Sequence, residues 1–337
     1  MTAPALSPRP VRLALPSKGR LADATLDFLA RSGLRVEKLN PRQYIARIPA
    51  LPELEVLFQR AGDIVVGVRQ GSVDFGITGF DVVEEKRGDG DAVLVLHEAL
   101  GYGHCRLTVA VPEAWAEVRT MADLAREVAA MQRPLRVATK YPRLSRAFFE
   151  RHGIPHTLIL AEGTLEIAPT IGYADAIVDL VTTGLTLRDN RLRPLDDGVI
   201  LASQAVLIAN RHALQHRPGA LDIARHLLEY IEAHLRAQGH FLVIANVRGE
   251  SAEAVAARMA RQPHIRGLQG PTISPVFSPQ GERPWFSVSI VVARAHLNQA
   301  IAELRAIGGS GVIVTPALYI FEEEPPRLRA LLDALGK

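Results

Sequence analysis

RLALPSKGRLADATLDFLARSGL (residues 12–34) and LRVATKYPRLSRAFFERHGI (residues 135–154) repeat one pattern, and that repetition decides the fold. Each copy runs as an apolar strand, a turn carrying a hydroxyl and a lysine (Ser17-Lys18, Thr139-Lys140), then an amphipathic helix. Apolar residues at helical spacing define the buried stripe: Leu21, Leu26, Leu29 and Ala30 in the first copy, Leu144, Ala147 and Phe148 in the second. Gly33 and Gly153 follow as C-caps, because glycine tolerates the left-handed backbone that ends a helix.

The echo continues along the chain. GSVDFGITG (residues 71–79) parallels GYADAIVDLVTTG (residues 172–184): a helix-ending glycine, an aspartate, then a strand running into a turn of small residues. Two α/β lobes of similar design follow, with a ligand cleft at the carboxyl ends of their strands. VILASQAVLIAN (residues 199–210) is β-rich and is expected to pair with VLHEALGYGHCRLTVAVP (residues 95–112), which makes the first lobe from two segments. The expected organisation is a loose tail over 1–10, lobe I over 11–111 plus 199–238, and lobe II over 112–198.

From residue 240 the grammar changes. Strand FLVIANV (241–247), helix SAEAVAARMARQ (251–262), turn IRGLQGPTISPV (265–276), strand PWFSVSIVVA (284–293), helix AHLNQAIAELRAIG (295–308) and strand GVIVTPALYIF (311–321) read as a ferredoxin-like βαββαβ domain over 240–337. Residues 325–337 read as a short amphipathic helix with no chemical signal.

Composition narrows the class. The 337 residues, 48% hydrophobic and 22% charged, suit a multi-domain globular protein. A net charge of +3 spread along the chain does not point to nucleic acid. One cysteine, Cys105, excludes an internal disulfide and a cysteine-based metal site, and reads as a small buried hydrophobe. With no signal-type leader and no apolar run of about 18 residues, the expectation is a cytoplasmic protein that does not span a membrane.

EIAPTIGYADAIVDLVTTGLTL (residues 166–187) carries the chemistry. Val178 closes the apolar run, Asp179 follows, and Thr182, Thr183, Gly184 and Thr186 supply hydroxyls and a backbone free to turn. Such a loop can aim several amides at one phosphate, and a carboxylate beside it can accept two sugar hydroxyls. A sugar phosphate satisfies both. The ordinary alternative for Thr-Thr-Gly is a turn with a helix cap.

Glu166, Gly172, Ala174, Ile177, Asp179, Thr183, Gly184, Thr186 and Leu187 together resemble the segment that marks ATP phosphoribosyltransferases, and the resemblance spans Val11 to Phe321. The long form of that family is implied: a two-lobed catalytic part of the type II periplasmic-binding-protein kind plus a C-terminal regulatory domain. The activity implied joins N1 of the adenine of ATP to C1 of 5-phosphoribosyl 1-pyrophosphate (PRPP), with Mg²⁺ bound mainly through the substrate phosphates. Histidine is the implied feedback inhibitor. Dimers assembling into hexamers are implied too, with no partner resembling a tRNA synthetase.

Residue by residue, the resemblance assigns the phosphate and ribose of PRPP to Asp179, Val181, Thr182, Thr183, Gly184, Leu185 and Thr186. Lys18, Gly19, Arg20, Arg42 and Arg60 are assigned to ATP and pyrophosphate. Lys18, Arg20, Arg60, Glu166 and Asp179 form the expected catalytic set, with Lys140, Arg143, Glu162 and Asp175 as neighbours. A surface pair with Asp63 is the plain alternative for Arg60. Asn246, Leu268 and Thr272 resemble the histidine-binding positions. Two other readings stand beside the transferase: a solute-binding module, since two-lobed clefts also serve transport, and a regulatory subunit without catalysis.

Overall fold

The computed structural model describes residues 9–336 except 39, 41, 42, 162 and 278–283. The chain forms two units, one running to Leu228 and resuming at Pro326, the other Glu229–Pro325.

The first unit holds two sheets. In lobe I, β1 (Val11–Pro16), β2 (Ile45–Ile48), β3 (Leu51–Gln59), β4 (Phe75–Gly79) and β5 (Val93–His97) are joined by α1 (Ala22–Arg31), α2 (Ala61–Arg69) and α3 (Phe80–Lys86). Lobe II holds β6 (Cys105–Pro112), α4 (Met121–Met131), β7 (Leu135–Thr139), α5 (Pro142–Arg151), β8 (His156–Leu160), β9 (Ala176–Val181), α6 (Leu185–Asp189) and β10 (Leu192–Ser203). The chain then returns to lobe I with β11 (Ala205–Asn210), α7 (Arg211–His216) and the first part of α8 (Ala220–Ala237), whose residues from Glu229 onward belong to the second unit, so lobe I ends at Leu228 and not at the expected 238. The six-stranded sheet has the order β2-β3-β1-β4-β11-β5, and the five-stranded sheet the order β10-β6-β9-β7-β8.

Strands go where their apolar faces are covered. Leu107, Val109 and Val111 of β6 join Val137 and Val178 in the lobe II core, so β6 belongs to lobe II rather than to lobe I as the sequence suggested. β10 pairs antiparallel with β6 and β11 with β5, so the second crossing falls at Gln204. The lobes therefore exchange chain near 98–104 and at 204, where Gly101 (φ 78°) and Gly103 (φ 70°) take left-handed turns open to glycine. The expected boundaries at 111/112 and 198/199 lie several residues away from these crossings.

The repeated sequences fold alike. β1 lies parallel between β3 and β4, and β7 lies parallel between β8 and β9. Each glycine-to-aspartate step also closes the same way, with Arg12 N–H donating to Asp74 at 2.8 Å and Arg136 N–H donating to Asp175 at 2.9 Å. Arg9, placed in the expected loose tail, is held: its guanidinium meets Asp74, and its carbonyl accepts from Arg217 at 3.0 Å. Residues 1–8 lie outside the described residues.

The second unit is built on β12 (His240–Arg248), α9 (Ala252–Ala260), β13 (Thr272–Val276), β14 (Trp285–Ala293), α10 (Leu297–Ala306) and β15 (Gly309–Pro316), in sheet order β13-β14-β12-β15. This is the ferredoxin-like order. Its second strand, β13, occupies part of the stretch read as a turn; Ile273 packs on the core while Pro275 is tolerated on an edge strand. α9 and α10 cover one sheet face through Val255, Met259, Ala300 and Leu304. The final helix, α11 (Pro326–Leu335), was expected in the regulatory domain. It belongs instead to the first unit, where Leu328, Leu331 and Leu335 are buried and the helix packs by α7 and β5.

Candidate active site

The carboxyl ends of β1, β3, β4, β7 and β9 carry the polar turns. After β1, Ser17, Lys18, Gly19 and Arg20 are exposed, and Gly19 takes φ 84° with nothing near a would-be side chain. Ser17 N–H donates to the Gln59 carbonyl at 2.8 Å, which sets this basic turn beside the end of β3. Arg60 follows there in extended conformation (φ −69°, ψ 148°) as the residue preceding α2, exposed and without an ion pair to Asp63 among the described residues. Arg20 donates to the Gly103 carbonyl at the lobe crossing. Arg42 and Glu162 lie outside the described residues.

In lobe II, β9 runs on to Val181, so Asp179 sits within the strand, paired in register with Thr108. Strand alternation then puts Asp179 on the face of Ile177 and Val181, toward the short 3₁₀ turn Leu165–Ile167 that bears Glu166. Burial, first, and the nearby Glu166 carboxylate push the Asp179 carboxyl up, against the backbone hydrogen bond from Leu180 and the Lys140 ammonium. Glu166 follows Leu165, which packs with Ile177 and Val181, and Lys140 follows Thr139, the register partner of Val178, so both charges lie near Asp179.

Beyond Val181, Thr182 and Thr183 are exposed and Gly184 turns at φ 79°, starting α6. The first amides of any helix have no intrahelical acceptor, so this turn directs donors outward. Thr186 and Leu185, in the first turn of α6, are exposed as well.

Asp175 is not part of this group. It lies at the other end of β9 from the loop, where the guanidinium groups of Arg133 (2.6 Å) and Arg136 (2.8 Å) clamp it. Burial works to raise its carboxyl, but those hydrogen bonds prevail and hold it well below the usual range. Arg143 is also engaged, donating to the Glu84 carbonyl at 3.1 Å through Nε.

The structure adds residues that sequence reading missed. Asp81, at the start of α3 and 1% exposed, accepts from Tyr141 Oη at 2.7 Å and from Ser203 Oγ at 2.5 Å. Glu85 of α3 receives the Arg143 and Leu144 amides at 2.9 and 3.0 Å, capping α5 from across the lobes. Burial, then Asp81, push the Tyr141 phenol well above its usual value, so it stays a donor. The Asp81 position adjoins the GSVDFGITG echo, the one sequence signal that could have drawn attention to it. Tyr141 and Ser203 had none.

A cavity of about 600 Å³ opens at the crossing, lined by Val181 and Thr182 of the loop and by Glu98, His104, Cys105 and Arg106 among others. Burial raises the Cys105 thiol, in keeping with an inert packed residue.

In the second unit, Asn246 and Thr272 fall on the sheet face opposite α9 and α10, with Asn246 paired to Ser287 and Thr272 to Ser289. Leu268 is exposed in the loop before β13.

Known proteins resemble this chain along nearly its whole length. The ATP phosphoribosyltransferase family profile matches residues 60–233, and that for "HisG, C-terminal domain" matches 237–317. The chain belongs to the ATP phosphoribosyltransferase family. "ATP phosphoribosyltransferase 2, chloroplastic" of Arabidopsis thaliana is 46% identical over 97% of this chain and 81% of its own length. "ATP phosphoribosyltransferase" of Bradyrhizobium diazoefficiens is 38% identical over 96% of this chain and 98% of its own. A solved "ATP phosphoribosyl transferase (HisG:HisZ) complex from Thermotoga maritima" superposes with TM-score 0.51 at 25% identity, covering 66% of this chain and 98% of that one. As an ATP phosphoribosyltransferase of the long form, the chain condenses ATP, through N1 of adenine, with PRPP to give N1-(5-phosphoribosyl)-ATP and pyrophosphate, the first step of histidine biosynthesis. No described helix is long and apolar enough to cross a membrane.

Proposed function

We propose that the loop Val181–Thr186 holds the 5′-phosphate of PRPP, with Asp179 accepting the ribose hydroxyls and Glu166 beside it. The convergence of Asp179 on β9, the Leu165–Ile167 turn that bears Glu166 and the Lys140 end of β7 beside the Gly184 turn supports this reading. Lys18, Gly19 and Arg20, joined to the Arg60 end of β3, would face the ATP phosphates and the departing pyrophosphate, and Arg42 would serve there too. In the reaction the N1–C1 bond forms as the bond from C1 to the pyrophosphate oxygen breaks, so positive charge grows on the ribose while negative charge leaves. Orientation and charge neutralisation carry most of such a rate. Lys18, Arg20 and Arg60 supply the cations, and Glu166 and Asp179 sit on the ribose side.

Mg²⁺ would arrive with the phosphates, and the two carboxylates are hard oxygen acceptors suited to its bound waters. Histidine is proposed as inhibitor at Asn246, Leu268 and Thr272, and the assembly as a homo-oligomer of dimers and hexamers without a synthetase-like subunit. The compartment proposed is the cytoplasm, although the Arabidopsis relative is named chloroplastic.

The test is steady-state kinetics of Asp179→Asn and Thr183→Ala, with ATP, Mg²⁺ and PRPP, following the absorbance of N1-alkylated adenine. Both variants should raise the KM for PRPP by about tenfold or more, equivalent to at least one charge-assisted hydrogen bond. Unaltered PRPP kinetics in both would remove the loop from the substrate.

A further inference from the structure

The cavity at the lobe crossing abuts the phosphate loop through Val181 and Thr182, and Glu98 is the one carboxylate among the described residues that line it. An acid there opposes the binding of a polyanion. Arg106 and His104 line the same cavity, and Arg106 is the register partner of Val181 on β6, so its side chain shares the loop's sheet face. Among the described residues Arg106 forms no ion pair. Glu98 does: the guanidinium of Arg327 grips it twice, Nε to Oε2 at 2.9 Å and Nη2 to Oε1 at 2.5 Å.

Arg327 comes from α11, which begins at Pro326, beyond the end of the second family profile at 317. α11 is anchored on lobe I by Leu328, Leu331 and Leu335 and by Arg211, whose guanidinium donates to the Ala334 carbonyl at 2.6 Å. The segment has no part in the chemistry described above, yet it delivers a cation to the rim of the cavity.

We propose that Arg327 is a positioning residue for the anionic substrates: it neutralises Glu98 and thereby leaves the cavity beside Thr182 net positive. The fork geometry suits the task, because a bidentate guanidinium fixes the carboxylate's direction as well as its charge. Glu98 and Arg327 both keep solvent contact, so the effect is a field of moderate size that salt weakens. The proposal rests on the reading of Val181–Thr186 as a phosphate loop.

A charge-reversal logic tests it in the full-length protein, with PRPP and ATP as probes. Arg327→Met leaves the Glu98 carboxylate unpaired and should raise the KM for PRPP about three- to fivefold at low salt, less at high salt, with kcat little changed. Glu98→Gln/Arg327→Met removes the unmasked charge and should restore KM, although it restores no contact to α11. Arg327→Lys keeps the charge without the fork and should stay within about twofold of the parent. If the double variant is as impaired as Arg327→Met, or if Lys behaves as Met does, the pair is a mechanical staple for α11 and the proposal fails. Thermal melts accompany each variant, since a staple predicts that KM tracks melting temperature whereas charge masking predicts that it does not. Failure of the loop reading is a separate result: Thr183→Ala would then leave PRPP binding intact whatever Arg327→Met does.

Discussion

Asp175 and Arg136 are bound to each other through main chain and side chain at once. The Asp175 N–H donates to the Arg136 carbonyl at 2.8 Å, while its carboxylate accepts from the Arg136 amide at 2.9 Å and from the guanidinium at 2.8 Å. Asp74 repeats the main-chain part with Arg12: Asp74 N–H donates to Arg12 O at 3.0 Å, and Arg12 N–H donates to Asp74 at 2.8 Å. Each aspartate locks the start of its lobe's central strand, and each stands at the end remote from the cleft.

Asp175→Ala should therefore act on stability and not on substrate. It strips the Arg136 amide of its acceptor and frees two arginines that are already near water, so the expected loss is about 1–3 kcal/mol. Denaturant titration measures the loss, and PRPP saturation should stay within about twofold. A large KM effect with unchanged stability would return Asp175 to the ribose.

Tyr141→Phe removes one of two hydroxyls that meet the buried Asp81 carboxylate. The expected destabilisation is about 1–3 kcal/mol, because a buried acceptor loses a charged hydrogen bond. Since Tyr141 adjoins Lys140, turnover should also fall, which assays at a fixed, well-folded temperature would reveal. Ser203→Ala should be less than additive with it, because both serve one carboxylate.

Gly184→Ala isolates backbone geometry. A methyl group there would find only Val181 Cγ1, at 3.9 Å, so crowding is not the difficulty. The φ of 79° is, and holding alanine left-handed costs about 1–2 kcal/mol. The loop should relax instead of paying that strain in full, giving weaker PRPP binding with a melting temperature close to the parent's.

His97 supplies the pH prediction. Burial, then the Arg327 cation, lower its imidazole from 6.5 to about 4. Its folded value lies below the unfolded one, so its contribution is complete above pH 6.5 and is lost as pH falls toward 4. Unfolding free energies should decline through that window, and His97→Gln should flatten the decline. Glu98, held down to about 2 chiefly by Arg327, acts only in the more acid range below 4.5.

Much of the architecture was legible because it is local. The twin strand-turn-helix units around Ser17-Lys18 and Thr139-Lys140, the elements of the βαββαβ plan other than β13, and the glycine-opened turn at Gly184 all rest on periodicity and on backbone chemistry within a few residues. What escaped was tertiary. Asp179 looked like the end of the strand because an acid closes an apolar run, yet pairing with Thr108 across the sheet carries the strand on to Val181. Asp175 looked like a site acid because the arginine partners that occupy it, Arg133 and Arg136, lie about forty residues away. The Asp81–Tyr141–Ser203 meeting joins positions separated by 60 and 122 residues, and no spacing rule spans that distance. α11 looked inert because its stripe of leucines says that it docks but not where.

The paired crossing has an architectural consequence. Cys105 and Ser203, the first and last strand residues of lobe II, stand opposite each other in one ladder. A lobe whose entrance and exit touch is topologically a cassette. It can be lengthened, exchanged or refined while the other lobe keeps its register, so the two lobes can be tuned separately within one chain.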